Sequence, residues 1–144
     1  MIGYFDTSAV VPLVIDEMSS GLCSDFWDMC ETRVSSMLVI PEAHAALAQA
    51  LRLNRMTFHQ YEAAVELLNS RISLLKLIVP FRTIADSAAK LAQPHSLRGY
   101  DAVHVATALA LQAPELVVIS GDSQVLDACT ALGIYTMDTN TEYR

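Results

Sequence analysis

Four acidic residues stand where a strand of this sequence is predicted to end or a helix to begin. Asp6 follows a short apolar segment, Asp122 follows "LVVIS", Glu42 lies in the first turn of a predicted helix, and Asp101 opens another helix. Carboxylates 4 Å apart repel by about 4 kcal/mol at an effective dielectric constant of 20, unless they share protons or bind cations. Because oxygen ligands without histidine or thiolate suit Mg²⁺ or Mn²⁺ better than Zn²⁺, the set predicts a site for a hard divalent ion.

The elements that must position these acids alternate along the chain. Short, almost wholly apolar segments alternate with amphipathic ones, which predicts an α/β fold with three layers, α/β/α, around a central, mainly parallel sheet of about five strands. Ligands of such sheets bind beyond the carboxyl ends of the strands, where the four acids are predicted to meet. The predicted strands are 2–5, 34–40, 72–79, 116–120 and 134–137, and the predicted helices are 8–14, 20–30, 41–53, 57–70, 83–92, 101–112 and 123–132.

Each acid also has a purely structural explanation. Asp6 and Asp101 are suited to capping or opening a helix, and Glu42 is favourable near a helix N-terminus in any case. Asp122 in "SGDS" is typical of a turn. The residues alone leave both interpretations open. His104, one turn after Asp101, is expected to be a packed supporting residue rather than a ligand.

Length and composition bound the class of protein. The chain has 144 residues, of which 53% are hydrophobic and 17% are charged, so we expect one domain, residues 1–144, with a well-buried core. We find no basic leader and no uncharged stretch of the roughly 20 residues that a membrane span needs. The three cysteines lack the spacing of a metal site and are expected to be reduced thiols. These features predict a soluble, cytoplasmic protein.

The net charge of −7 is a separate constraint. Taken alone, it argues against a nucleic-acid binder, which usually has a basic surface. Cations bound among clustered carboxylates would invert the local field and weaken that objection. Four arginines are available to contact phosphate: Arg52, Arg55, Arg82 and Arg98.

Four segments together resemble the PIN domain family, particularly the VapC-type toxin ribonucleases. They carry the four acids in the family's order, each in its family context, and extend along nearly the whole chain. The segments are "YFDTSAVVPL", "VIPEAHAALAQAL", "RGYDAVHVATALAL" and "LVVISGDSQVLDACTALGI". The glycine of "SGD" departs from the family's pattern.

The resemblance implies a fold, an activity and partners. It implies that Asp6, Glu42, Asp101 and Asp122 are catalytic and hold one or two metal ions, Mg²⁺ or Mn²⁺ in its place. It makes Thr7, Ser8 and Ser120 their small polar neighbours. The implied activity is metal-dependent endonucleolytic hydrolysis of RNA by the toxin of a toxin–antitoxin pair. A small antitoxin protein and a second copy of the chain are the implied partners, with no membrane.

Two alternatives stand beside this interpretation. "FDTS" and "ISGDSQVLDACTALGI" also look like two motifs of the haloacid-dehalogenase-type phosphatases, in which Asp6 would be a phosphorylated nucleophile. That chemistry needs an acid at the position of Ser8 and a lysine facing the cleft, and Lys76 and Lys90 are the only lysines. The other alternative is a non-catalytic, PIN-like module that only captures a partner peptide.

Overall fold

Five short strands form one sheet in the computed structural model, which describes residues 1–141. The strand order is β3-β2-β1-β4-β5, and every neighbouring pair is parallel. The predicted α/β class with about five strands is therefore confirmed, and the sheet is wholly rather than mainly parallel. The strands are β1 (Ile2–Phe5), β2 (Thr32–Ser36), β3 (Lys76–Ile78), β4 (Leu116–Ser120) and β5 (Tyr135–Asp138).

Helices cover both faces of this sheet, as is usual for a parallel sheet. The helices are α1 (Thr7–Val10), which continues as a 3₁₀ turn (Val11–Leu13), α2 (Ser20–Met29), α3 (Val39–Arg52), α4 (Phe58–Ile72), α5 (Arg82–Ala92), α6 (Gly99–Ala110) and α7 (Ser123–Ala131). Neighbouring strand residues serve opposite faces: Tyr4 packs in one hydrophobic cluster with residues of α5, α6 and α7, and Phe5 packs in a second cluster with residues of α1, α2, α3 and α4.

The second strand is shorter than the sequence predicts. It ends at Ser36 rather than at residue 40, because the Ser36 hydroxyl accepts a hydrogen bond from the Leu38 amide at 3.2 Å and the chain turns there. Helix α3 then begins at Val39, with Pro41 inside its first turn, where a missing N–H breaks no helical hydrogen bond. Glu42 is therefore the fourth residue of α3, still within its first turn.

The third strand also covers less of its apolar segment than predicted. Helix α4 extends to Ile72, and only Lys76–Ile78 pair with β2 at the edge of the sheet. Continuous apolar segments of this kind do not separate helix from strand by periodicity, so tertiary packing decided the boundary. The predicted cap at Thr57 is confirmed, since Thr57 and Gln60 form a reciprocal capping box.

The cysteines are free and buried, as predicted for reduced thiols. Burial raises the pKa of the Cys129 thiol to about 12 and that of the Cys23 thiol to about 11, so both stay protonated near neutral pH. Among residues 1–141, no helix has both the length and the apolar character needed to cross a bilayer.

Candidate active site

The cleft that contains the four acids lies where the order of the strands in the sheet reverses. Strands β1 and β4 are neighbours at the centre, and the chain adds strands outward on both sides of them, which makes their carboxyl ends a topological switch point. Asp6 follows β1, and its amide donates to the Ile119 carbonyl at 3.4 Å, next to the end of β4. The cleft has a volume of about 800 Å³, and its lining includes Asp6, Glu42, Asp101 and Asp122.

Asp6 is held at both carboxylate oxygens. Its Oδ1 accepts from Ser8 Oγ at 2.6 Å and from the Ala9 amide at 3.2 Å, while its Oδ2 accepts from Ser120 Oγ at 2.5 Å. Only 5% of Asp6 is exposed, and burial raises the pKa of its carboxyl group despite the opposing effect of these hydrogen bonds. The hydrogen bond from the Ala9 amide makes Asp6 the N-cap of α1, so Asp6 also has the structural role of a helix cap. Asp6 is thus a fixed, buried acid at the carboxyl end of β1.

Glu42 is held by a chain of hydrogen bonds that crosses the fold. Its Oε1 accepts from Thr7 Oγ1 at 3.1 Å and lies 2.7 Å from His104 Nε2. On the other side of the ring, His104 Nδ1 lies 2.7 Å from the Tyr4 hydroxyl. A carboxylate only accepts, so Nε2 carries the ring hydrogen. Burial raises the pKa of Tyr4 well above its ordinary value, so its hydroxyl stays protonated. With the ring hydrogen on Nε2, His104 Nδ1 accepts a hydrogen bond from this hydroxyl.

Both ring nitrogens of His104 are therefore engaged, and the side chain is only 3% exposed. It has no nitrogen to offer a metal ion or a reacting proton. This agrees with the expectation of a packed supporting residue.

Asp101 and Asp122 share one arginine. Arg98 Nε donates to Asp101 Oδ2 at 2.8 Å, and Arg98 Nη2 donates to Asp122 Oδ2 at 3.2 Å. The guanidinium carbon also lies 4.8 Å from the centre of the Tyr100 ring. Asp122 additionally caps α7 by accepting from the Gln124 amide at 2.9 Å, so its structural explanation is realised too.

The electrostatics of the cleft favour a cation. Among residues 1–141, its lining contains five carboxyl side chains and two arginines, so negative charge is in excess there. The four acids each lie at the N-cap or in the first turn of a helix, where the partial positive charge of the helix end offsets part of their repulsion. These positions are Asp6 for α1, Glu42 for α3, Asp101 for α6 and Asp122 for α7.

As the side chains stand, no group of three histidine, cysteine, aspartate or glutamate residues within 1–141 is arranged to hold a metal ion. The reason is visible in the contacts: Asp6 is turned to two serines, Glu42 to His104, and Asp101 and Asp122 to Arg98. The chemistry of the donors still fits Mg²⁺ or Mn²⁺, since the set consists of hard oxygens in one cleft.

The small polar residues named by the resemblance all contact the acids. Ser8 and Ser120 hydrogen-bond Asp6, whereas Thr7 turns to Glu42 instead.

The unusual glycine of "SGD" has a local reason. The Gly121 amide donates to Ser8 Oγ at 2.8 Å, and a Cβ at this position would lie 2.9 Å from Thr139 Oγ1. Glycine therefore lets the residues after β5 pack against the cleft.

The structure separates the four arginines. Arg52 and Arg98 line the cleft, Arg55 lines a different groove between α3 and α4, and Arg82 pairs with Asp86 at 2.9 Å on the surface. The pairing of Arg98 with Asp101 was not predicted, although their spacing of three residues at a helix start signals it.

Other functional contacts had no signal in the sequence. Tyr4 and His104 are 100 residues apart, and nothing in either segment indicates that they meet. The phosphatase alternative receives no support, because Ser8 is engaged with Asp6 and neither lysine is among the described residues that line the cleft.

Comparisons with known proteins identify the family of the chain. The sequence profile of the PIN domain family matches residues 3–130. Ribonuclease VapC45 of Mycobacterium tuberculosis (strain CDC 1551 / Oshkosh) is 38% identical over 130 residues, which cover 90% of this chain and 90% of that relative.

Solved structures share the fold. PAE2754 from Pyrobaculum aerophilum superposes with a TM-score of 0.71 at 22% identity, over 94% of this chain and 89% of that one. A toxin–antitoxin complex from Klebsiella pneumoniae superposes with a TM-score of 0.66 at 18% identity, over 97% of this chain and 99% of that one. At these identities the likeness is one of fold.

Proposed function

This chain belongs to the PIN domain family and is a VapC-type relative, and we propose that it is a metal-dependent ribonuclease, the toxin of a toxin–antitoxin pair. The activity is endonucleolytic hydrolysis of RNA phosphodiester bonds. One observation carries the proposal: four carboxyl side chains from four distant parts of the chain line a single cleft at the switch point of the sheet. Ligands of open parallel sheets bind in that place.

The residues that would hold the metal, and act in catalysis, are Asp6, Glu42, Asp101 and Asp122. When bound there, a hard divalent cation such as Mg²⁺ supplies a water of lowered pKa and neutralises charge on the phosphate. The excess of carboxyl groups in the cleft supports this assignment, because it creates a demand for positive charge that two arginines do not meet.

The protein's own side chains provide orientation. Ser8 and Ser120 fix both oxygens of Asp6, and His104 fixes Glu42. These contacts hold the two carboxylates at the lining of the cleft in the absence of an ion.

The cleft also offers contacts to the substrate. Arg52 and Arg98, on its lining, are the side chains placed to contact RNA phosphates. His104 is not a general base, because both its ring nitrogens are engaged.

The test is cleavage of single-stranded and structured RNA by the full chain. We expect cleavage with Mg²⁺ or Mn²⁺ that EDTA abolishes and that Asp6→Ala abolishes. Asp28→Asn is the matched control, since Asp28 is an exposed acid of α2 and is not among the residues that line the cleft. A clean preparation that cuts neither RNA with either ion would refute the proposal.

The proposal extends to partners and location. We infer that the single domain of residues 1–144 acts in the cytoplasm with a small antitoxin protein, as toxin–antitoxin complexes among the structural neighbours suggest for this fold. Growth arrest on expression, relieved by the product of a small adjacent reading frame, tests the antitoxin. If the arrest persists with every neighbouring product, the toxin assignment fails.

We also infer that the chain pairs with a second copy. Large apolar side chains remain on the surface, among them Phe81, which is 68% exposed. Light scattering on the purified chain measures the mass directly, and a monomer at micromolar concentration would contradict this inference.

A further inference from the structure

Arg98 occupies an unusual place for an arginine in a cleft that is proposed to bind cations. One guanidinium reaches two of the four candidate ligands, with Nε on Asp101 at 2.8 Å and Nη2 on Asp122 at 3.2 Å. We propose that Arg98 is an internal counter-ion that competes with the divalent ion for these two carboxylates and, once released, contacts the RNA phosphate. This inference rests on the function proposed above and adds a positioning residue to it.

Asp101 and Asp122 need a positive charge between them in the metal-free protein. Their side chains are only 8% and 22% exposed, and a single guanidinium spans both of them. Two carboxylates this close repel each other, and the repulsion grows where water is excluded. Arg98 relieves it, and any cation placed between the same oxygens would meet the positive charge of Arg98.

Arg98 is placed to leave these carboxylates easily. Its side chain is 60% exposed, and its other contact is with the face of the Tyr100 ring at 4.8 Å. Because its guanidinium stays in contact with solvent, Arg98 can move off the carboxylates without crossing a packed interior when a doubly charged ion takes its place. An arginine does not lose its proton near neutral pH, so displacement rather than titration must free these acids.

The released guanidinium is suited to bind phosphate. Its planar group presents paired donors that match the oxygens of a phosphate, and a lysine ammonium lacks this fork. Arg52 lines the same cleft, so two cationic side chains are available to contact the RNA backbone there. Arg98 then neutralises Asp101 and Asp122 in the metal-free cleft and binds the RNA phosphate in the metal-bound cleft.

The experiment uses the full chain, free of RNA, titrated with Mn²⁺ in a calorimeter. We expect Arg98→Gln to bind Mn²⁺ at least about threefold more tightly than the parent, because a nearby positive charge is removed. Arg98→Lys keeps the charge and should bind Mn²⁺ as the parent does. Arg82→Gln is the matched control, since Arg82 loses the same charge but pairs with Asp86 outside the cleft, and its Mn²⁺ affinity should not change.

A purely structural role for Arg98 gives the opposite sign. If Arg98→Gln binds Mn²⁺ equally or more weakly, or if the glutamine and lysine variants behave alike, the competition does not exist and the proposal is overturned. A melting curve in EDTA shows that each variant is folded before titration. Because Mn²⁺ alone is the probe, this result stands even if the chain cuts no RNA, so failure of the ribonuclease proposal is distinguishable from failure of this one.

The second half of the proposal predicts a split in the kinetics. At saturating Mn²⁺, Arg98→Gln and Arg98→Lys should both raise KM for RNA by about tenfold, since neither keeps the bidentate fork. Tighter metal binding together with weaker RNA binding in Arg98→Gln is a combination that a folding defect does not produce. An unchanged KM in both variants would remove the phosphate contact from the proposal.

Discussion

His104 Nε2 lies 2.7 Å from Glu42 Oε1, although 62 residues separate them in the chain. On the other side of the imidazole, the Tyr4 hydroxyl lies 2.7 Å from Nδ1. Because both ring nitrogens are hydrogen-bonded, the ring is held in one orientation and in turn orients Glu42. Partners that orient ligating carboxylates typically contribute about 10- to 100-fold to metal affinity or activity. This contact therefore ties a buried residue of the core to the candidate chemistry.

The first prediction concerns this contact. His104→Leu keeps the bulk of the side chain and removes both hydrogen bonds, so we expect Mn²⁺ affinity to fall by about 10-fold or more. Stability should also fall by about 1–3 kcal/mol, because the buried Tyr4 hydroxyl loses its acceptor. Calorimetric titration and urea unfolding measure the two effects.

The double variant Tyr4→Phe/His104→Leu separates them. It removes the stranded hydroxyl, so it should regain much of the lost stability while metal affinity stays low. Recovery of metal affinity in the double variant would show that Glu42 does not depend on His104 for its orientation.

The second prediction is a pH dependence that comes from Asp6. Burial raises the folded-state pKa of Asp6 above its ordinary value of 3.8, so between these two values the folded protein binds more protons than the unfolded one. Stability then falls as pH rises through this window, and the full penalty is present above the folded pKa. In EDTA at neutral pH, Asp6→Asn should therefore be more stable than the parent and should melt at a higher temperature.

The advantage of Asp6→Asn should shrink as the pH is lowered and should vanish near and below pH 3.8. Melting curves of both proteins across this range, recorded in EDTA, make the comparison. Asp28→Asn, on the exposed side of α2, is the control and should show no such gain. If the parent protein melts at a higher temperature than Asp6→Asn at neutral pH in EDTA, this result would contradict the raised pKa of Asp6.

The third prediction concerns the ion itself. A ligand that binds only the folded state stabilises it by about 2.7 kcal/mol at 100 times its Kd, so Mg²⁺ or Mn²⁺ at that excess over its Kd should raise Tm by several °C. Asp6→Asn combined with Asp101→Asn should lose this rise and should bind no Mn²⁺ in a calorimeter. Binding that persists in the double variant would place the metal somewhere else.

The fourth prediction tests the close packing at Gly121. Gly121→Ala places a Cβ only 2.9 Å from Thr139 Oγ1, so we expect it to destabilise the protein by about 1–3 kcal/mol. Thr139→Ala removes that oxygen and should restore part of the stability when the two changes are combined. Thermal unfolding of the three variants measures the coupling, and equal losses with and without Thr139 would argue against the contact.

The sequence by itself determined the class of the fold and the order of its elements. Alternating apolar and amphipathic segments require a parallel sheet covered on both faces, because neither face of such strands tolerates water. They also place Asp6 and Asp122 after strands and Glu42 and Asp101 in first helical turns, since capping and strand ends are local properties. That the two strands are neighbours is known only from the tertiary structure. The four acids could accordingly be proposed as one set from residue types and spacing, although these left the structural explanation of each acid open.

Tertiary structure alone decided the long-range partners of the acids. The contacts Tyr4–His104 and His104–Glu42 join three elements that meet only when the sheet and its helices close on each other. The length of β3 likewise follows from packing at the sheet edge, which hydrophobic periodicity does not encode. The same is true of the reach from Arg98 to Asp122, because a hydrogen bond between distant segments depends on small differences in distance that residue types and spacing do not specify.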